Sequence, residues 1–149
     1  MKLCADKTLG KLIKWLRILG IPCAQRDFKK PQEVPGDLIF LTRKQAFRAL
    51  PQAVFIPYDQ VEDQLHFLFR RLPHLKDQIA PLRLCLKCNE PLKELPKEKA
   101  FGLVPEYVYE TQDHFRACPR CGRIYWKGTH PQRMLRRLKE WGLTVEMGG

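Results

Sequence analysis

Asp37-Leu38-Ile39-Phe40-Leu41-Thr42 is the stretch whose reading decides the fold. Its apolar run is unbroken, without the alternation of a strand that is wetted on one face. A strand buried on both faces reads this way, and such strands belong to parallel sheets covered by helices. Before it, Leu3-Cys4-Ala5 is a short apolar run ending in Asp6, and Ile21 to Ala24 reads as a second strand with Asp27 just beyond. After it, Ala53-Val54-Phe55-Ile56-Pro57 reads as a fourth. Between these runs the period changes. Leu9, Leu12, Ile13, Leu16 and Leu19 share one helical face, with Thr8 as the expected N-cap and Gly20 as the expected terminator. Gln60 to Leu72 repeats the pattern through Val61, Leu65, Leu68 and Phe69. Phe28–Pro35, with its two prolines, has room only for a short helix, and Arg43–Leu50 for a turn or two. Strands alternating with helices imply a parallel α/β sheet with right-handed crossovers over residues 1–80.

Near Pro81 the pattern changes. Cys85-Leu86-Lys87-Cys88 and Cys118-Pro119-Arg120-Cys121-Gly122 are two C-x-x-C pairs separated by 29 residues. Each pair is a tight knuckle that aims two sulfurs at one point, and two knuckles complete a tetrahedron around zinc. Cys85, Cys88, Cys118 and Cys121 are therefore expected to hold one structural zinc in a small ribbon over residues 81–149. Tyr107-Val108-Tyr109 and Ile124-Tyr125-Trp126 read as its strands. A terminal helix follows, with Met134, Leu135, Leu138 and Trp141 on one face and Gly142 at its end. Cys4 and Cys23 fall on strands and read as small buried hydrophobes.

The chain of 149 residues carries a net charge of +11, with 14 basic and 8 acidic residues in 1–80 and 13 and 8 in 81–149. The excess is spread over both halves, and such a field favours polyanions, nucleic acid above all. Lys7, Lys11 and Lys14 form a basic stripe on the first helix; Arg133, Arg136 and Arg137 line the last one. Either can follow a phosphate backbone or be a solvated face. Tyr107, Tyr109, Tyr125 and Trp126 can stack on bases or pack round the zinc; His114 and His130 can support the zinc ligands, contact a phosphate, or be ordinary partly buried or helix-capping residues. No apolar segment has the length of a membrane span and no leader is expected at Met1–Asp6, so a cytoplasmic protein is the default expectation.

Asp6 closes the first strand just before a helix, where open α/β sheets carry their chemistry. Asp27, Asp37 and Asp59 flank the later strands. Carboxylates converging on one rim hold Mg²⁺ or Mn²⁺, which activate water for phosphodiester hydrolysis; equally, each Asp can cap a helix or turn.

Several stretches together resemble the Mut-seven C-terminal RNase family, a PIN-like nuclease domain fused to a zinc ribbon. They are Asp6 with Leu9-Gly10-Lys11-Leu12, Trp15-Leu16-Arg17-Ile18-Leu19-Gly20, Phe40-Leu41-Thr42-Arg43, residues 105–113 and residues 118–130. The resemblance runs over nearly the whole chain. It implies an α/β fold, a PIN-like parallel sheet domain followed by a Cys4 zinc ribbon and a C-terminal helix. It also implies metal-dependent RNase activity with Mg or Mn, and RNA as substrate. Asp6 matches the family's first acidic position and Asp27 the one after the second strand. After Thr42-Arg43 the family usually carries Asp, and this chain has Lys44. A lysine repels a cation but can bind a substrate phosphate. The alternative is a catalytically degenerate RNA-binding or adaptor protein; a third reading is a ribbon that grips a partner chain.

Overall fold

A computed structural model describes residues 2–127 and 129–143. Strand β1 (Lys2–Ala5) leads through a 3-10 turn (Lys7–Leu9) into helix α1 (Gly10–Ile18). Strand β2 (Ala24–Gln25), strand β3 (Leu38–Thr42), strand β4 (Ala53–Phe55) and helix α2 (Val61–Arg71) follow. The four strands form one parallel sheet in the order β2-β1-β3-β4. The register sets Cys4 beside Ala24 and Phe40, and Thr42 beside Phe55. The order reverses between β1 and β3, which makes their carboxyl ends the switch point of the sheet.

Alternation along β3 sends Leu38 and Phe40 to one face. There they join Cys4, Phe28, Val34, Phe47 and Ala53 in one buried cluster. The Phe40 ring stands edge-on to Phe28 and Phe47, both at 5.1 Å. Burying one such side chain contributes about 1.5–3 kcal/mol. Helices α1 and α2 pack on each other and bury Leu12, Ile13, Leu16, Leu65, Leu68 and Phe69. Gly20 ends α1 at φ 80°, its N–H bonding Arg17 O at 3.0 Å while Ile21 N bonds Leu16 O at 2.9 Å. A Cβ on Gly20 would lie 2.0 Å from Ala80 O, so this turn admits no side chain.

Two expectations in this unit are corrected. The second strand is only Ala24–Gln25: Ile21 is spent on the helix-ending turn, Pro22 has no N–H, and Cys23 O accepts from Arg17 Nε at 3.1 Å. Thr8 is not the N-cap; Asp6 is, its carboxylate accepting from Thr8 N at 3.0 Å, and α1 starts at Gly10 without a side-chain cap.

The chain divides into two compact units, Met1–Ala80 and Pro81–Gly149. In the second, strand β5 (Lys93–Leu95) is followed by helices α3 (Lys97–Ala100) and α4 (Glu106–Thr111), strands β6 (Phe115–Ala117) and β7 (Ile124–Trp126), and helix α5 (Thr129–Glu140). The strands form an antiparallel sheet β5-β6-β7 over a core of Ala100, Val108 and Phe115. Tyr107-Val108-Tyr109, expected as a strand, is a helical turn inside α4. Pro105 presets the entry at φ −57°, and its carbonyl accepts from both Val108 N and Tyr109 N at 3.0 Å. One buried Val between two Tyr suits a single turn as well as a strand. The Leu138 side chain of α5 is buried, and Gly142 ends that helix at φ 76° as expected. No helix among the described residues is long and apolar enough to cross a membrane.

Candidate functional site

Two constellations stand out, one in each unit. In the second unit the two cysteine loops are built alike. Cys85 N donates to Glu90 O at 2.8 Å and Asn89 N to Cys85 O at 2.9 Å; Cys118 N donates to Arg123 O and Gly122 N to Cys118 O, both at 2.9 Å. The residue after each second cysteine is left-handed, Asn89 at φ 61° and Gly122 at φ 75°. Asn and Gly are the residues that tolerate this region best.

The loops bring all four Sγ atoms within 4.8 Å of one another, with Cys85 and Cys121 at 3.8 Å. Tetrahedral zinc–sulfur bonds of about 2.3 Å set sulfurs roughly 3.8 Å apart, so the dimensions fit. Burial works to raise the Cys85 thiol. Hydrogen bonds from Tyr125 and from the amides of Cys88 and Lys87 outweigh that and bring it down to about 6. Burial and the neighbouring thiols raise Cys88 to about 12. Four thiols this close repel one another as thiolates, and a shared cation removes that repulsion. The four cysteines can hold a metal ion such as zinc, and an all-cysteine set favours it over hard cations.

Tyr125 had offered base stacking or packing. Its hydroxyl lies 3.2 Å from Cys85 Sγ and accepts from Leu86 N at 3.1 Å. Burial, first, and the Cys85 sulfur raise its phenol to about 12, so it stays protonated beside the thiolate. Nothing in a tyrosine that sits 40 positions after Cys85 marks it as a brace for that ligand. His114 is exposed, and the His130 side chain lies outside the described residues.

In the first unit Asp6 is fully buried at the end of β1. Its Oδ1 accepts from Thr8 N at 3.0 Å and from the Thr8 hydroxyl; its Oδ2 accepts from Thr42 Oγ1, at the end of β3, at 2.5 Å. The same hydroxyls also take the amides of the next turn. Arg43 N donates to Thr8 Oγ1 at 3.1 Å and Lys44 N to Thr42 Oγ1 at 3.0 Å. One carboxylate thus ties the first rung of the rim to the third. Asp27 is exposed and accepts from Lys7 N at 2.9 Å, so it stands beside the residue after Asp6. Asp37 lies at the opposite, amino end of β3, and Asp59 beyond the end of β4. Among the described residues only the cysteines form a group of three or more possible ligands; the carboxylates do not.

Lys7, Lys11 and Lys14 are exposed and Lys44 half-exposed. Lys7 belongs to the 3-10 turn, so only Lys11 and Lys14 share α1. Arg133, Arg136 and Arg137 are exposed on α5, in the other unit. Burial pushes Cys4 up to about 11 and Cys23 to about 12, which keeps both as neutral hydrophobes.

No curated protein and no solved structure matches this chain. Among family models, that of the Mut7-C RNAse domain matches residues 1–138. A match over nearly the full length, on a chain with a parallel sheet and a four-cysteine cluster, means that this protein belongs to the Mut7-C RNAse domain family.

Proposed function

We propose that this protein binds RNA on the carboxyl rim of its parallel sheet, without metal-dependent hydrolysis, and that a structural zinc holds its ribbon together. The observation that carries this reading is the state of Asp6. Its carboxylate is fully buried and already takes three hydrogen bonds. A divalent cation needs open oxygen ligands, and Mg²⁺ keeps several waters. Asp6 offers no such opening. Lys44, at the position where the resemblance leads one to expect Asp, adds a positive charge to the same turn. The residues of this rim therefore do not suit a resident Mg²⁺ or Mn²⁺. The net charge of +11 and membership of an RNase family support RNA as the partner.

A second reading, metal-dependent RNA hydrolysis with Asp6 and Asp27 as the catalytic pair, is favoured by one contact. The Lys7 amide on Asp27 brings a second carboxylate to the rung next to Asp6. The two readings separate on a labelled, unstructured RNA incubated with Mn²⁺, Mg²⁺ or EDTA, beside Asp6→Asn. The expected outcome is salt-sensitive retention of intact RNA. Cleavage that needs the metal and disappears in the variant would establish the second reading.

A further inference from the structure

The rim holds a feature that neither reading uses. Arg43 Nε is buried and has no hydrogen-bond partner, the only side-chain nitrogen or oxygen of that kind among the described residues. A buried N–H of a guanidinium left without an acceptor is uncommon in native proteins, because desolvation is not recovered. Arg43 directly follows Thr42, at the switch point where open α/β sheets bind ligands. Its backbone is held there: Arg43 N is bonded to Thr8 Oγ1 and Lys44 N to Thr42 Oγ1, both hydroxyls anchored on Asp6. Lys7 belongs to the turn that follows β1 on the same rim.

We infer that Arg43, with Lys44 and Lys7, forms a phosphate-binding site at the carboxyl ends of β1 and β3, and that Asp6 is the positioning residue that holds its turn. The inference deepens the RNA-binding reading and, for RNA as the source of the phosphate, rests on it. Three cations meet two carboxylates, of which Asp6 is buried and spent on hydrogen bonds, so the balance on the rim suits an anion. Arginine fits the role through its fork of donors, which matches two phosphate oxygens; lysine offers a point charge only. A phosphate oxygen would supply the missing acceptor once the half-buried Arg43 side chain turns its Nε–H towards the surface of the rim.

The test compares the full-length protein with Arg43→Gln, Arg43→Lys and, as control, Arg70→Gln at the exposed end of α2. An unstructured RNA oligonucleotide is titrated across a salt series, and inorganic phosphate is titrated separately while the arginine Nε–H signals are followed by NMR. Arg43→Gln is expected to weaken RNA binding about tenfold and to flatten the salt dependence by about 0.7, the share of one single-strand phosphate contact. Arg43→Lys is expected to keep the salt slope and to lose only part of the affinity that Arg43→Gln loses, because the charge stays and the fork of donors goes. Inorganic phosphate is expected to shift the Arg43 Nε–H. If RNA binds and Arg43→Gln behaves like Arg70→Gln, the inference falls while RNA binding stands. If no RNA is bound but phosphate still shifts Arg43, the site stands with a free phosphate as ligand, and the RNA reading falls. Silence of Arg43 Nε–H towards both RNA and phosphate would overturn the site altogether.

Discussion

Replacing Asp6 separates a brace from a metal ligand. Asp6→Ala removes the acceptor for Thr8 N, the Thr8 hydroxyl and Thr42 Oγ1. The Thr8 contacts form the N-cap of the turn, worth about 1 kcal/mol. The Thr42 bond spans β1 and β3 in a buried setting, and a charge-assisted bond of this kind contributes about 1.5–3 kcal/mol. A fully buried Thr42 also loses its acceptor, so the total comes to about 3–5 kcal/mol. Asp6→Asn should cost much less, about 1–2 kcal/mol. Its amide oxygen still caps Thr8 N, and its NH₂ can donate to Thr42 Oγ1 once that hydroxyl turns.

The assay is urea unfolding of the first unit, followed by hydrogen exchange in the peptides that carry β1 and β3. At a slope of about 1–3 kcal/mol per M, Asp6→Ala should lower the midpoint by roughly 1 M or more, and Asp6→Asn by less than half of that. A midpoint for Asp6→Ala within 0.2 M of the parent (about 0.5 kcal/mol or less) would refute the reasoning, because a metal ligand held open in the free protein can be removed at little cost. Equal losses for Ala and Asn would refute it too, since they would mean that charge rather than hydrogen bonding ties the strands.

Four further outcomes follow from the structure. A strong chelator should melt the β5–β7 sheet, seen as loss of exchange protection at Phe115 and Tyr125, while Phe40 in the first unit stays protected. Metal analysis of the untreated protein should give about one zinc per chain through the closed four-cysteine set. Tyr125→Phe deletes the hydroxyl that contacts Cys85 Sγ and Leu86 N, and should weaken zinc about tenfold in competition with a chromophoric chelator. Gly20→Ala meets both a left-handed φ and the Ala80 carbonyl, and should lower stability by at least about 2 kcal/mol in the same urea assay.

How far this molecule is legible in its sequence depends on the range of the interaction that decides each part. Leu38–Leu41 announces a buried strand because the signal is its own composition. The four cysteines announce a metal because the chemistry of a knuckle is local and the spacing carries it. Tyr107–Tyr109 misleads for the same reason turned round: three residues cannot tell a period of 2 from one of 3.6, and Pro105, outside the window, makes the choice. The brace on Asp6 is out of reach of any local reading. Its partners are Thr8, two positions on, and Thr42, 36 positions on, and only the parallel pairing of β1 with β3 brings the latter to it.

That pairing changes what the Thr42-Arg43-Lys44 stretch means. Read along the chain, Lys44 is a lost metal ligand, a gap in a catalytic set. Read across the rim, the same turn is held rigid by a buried carboxylate and carries two adjacent cations, one with a buried donor that lacks an acceptor. A rim without a role would need neither the brace nor any particular polarity. A rim kept braced and turned positive predicts a surface that still meets phosphate. The buried, triply bonded state of Asp6 therefore bears on the proposed binding as much as on catalysis, since a metal ligand must be free and a brace beneath the Arg43 turn must be engaged.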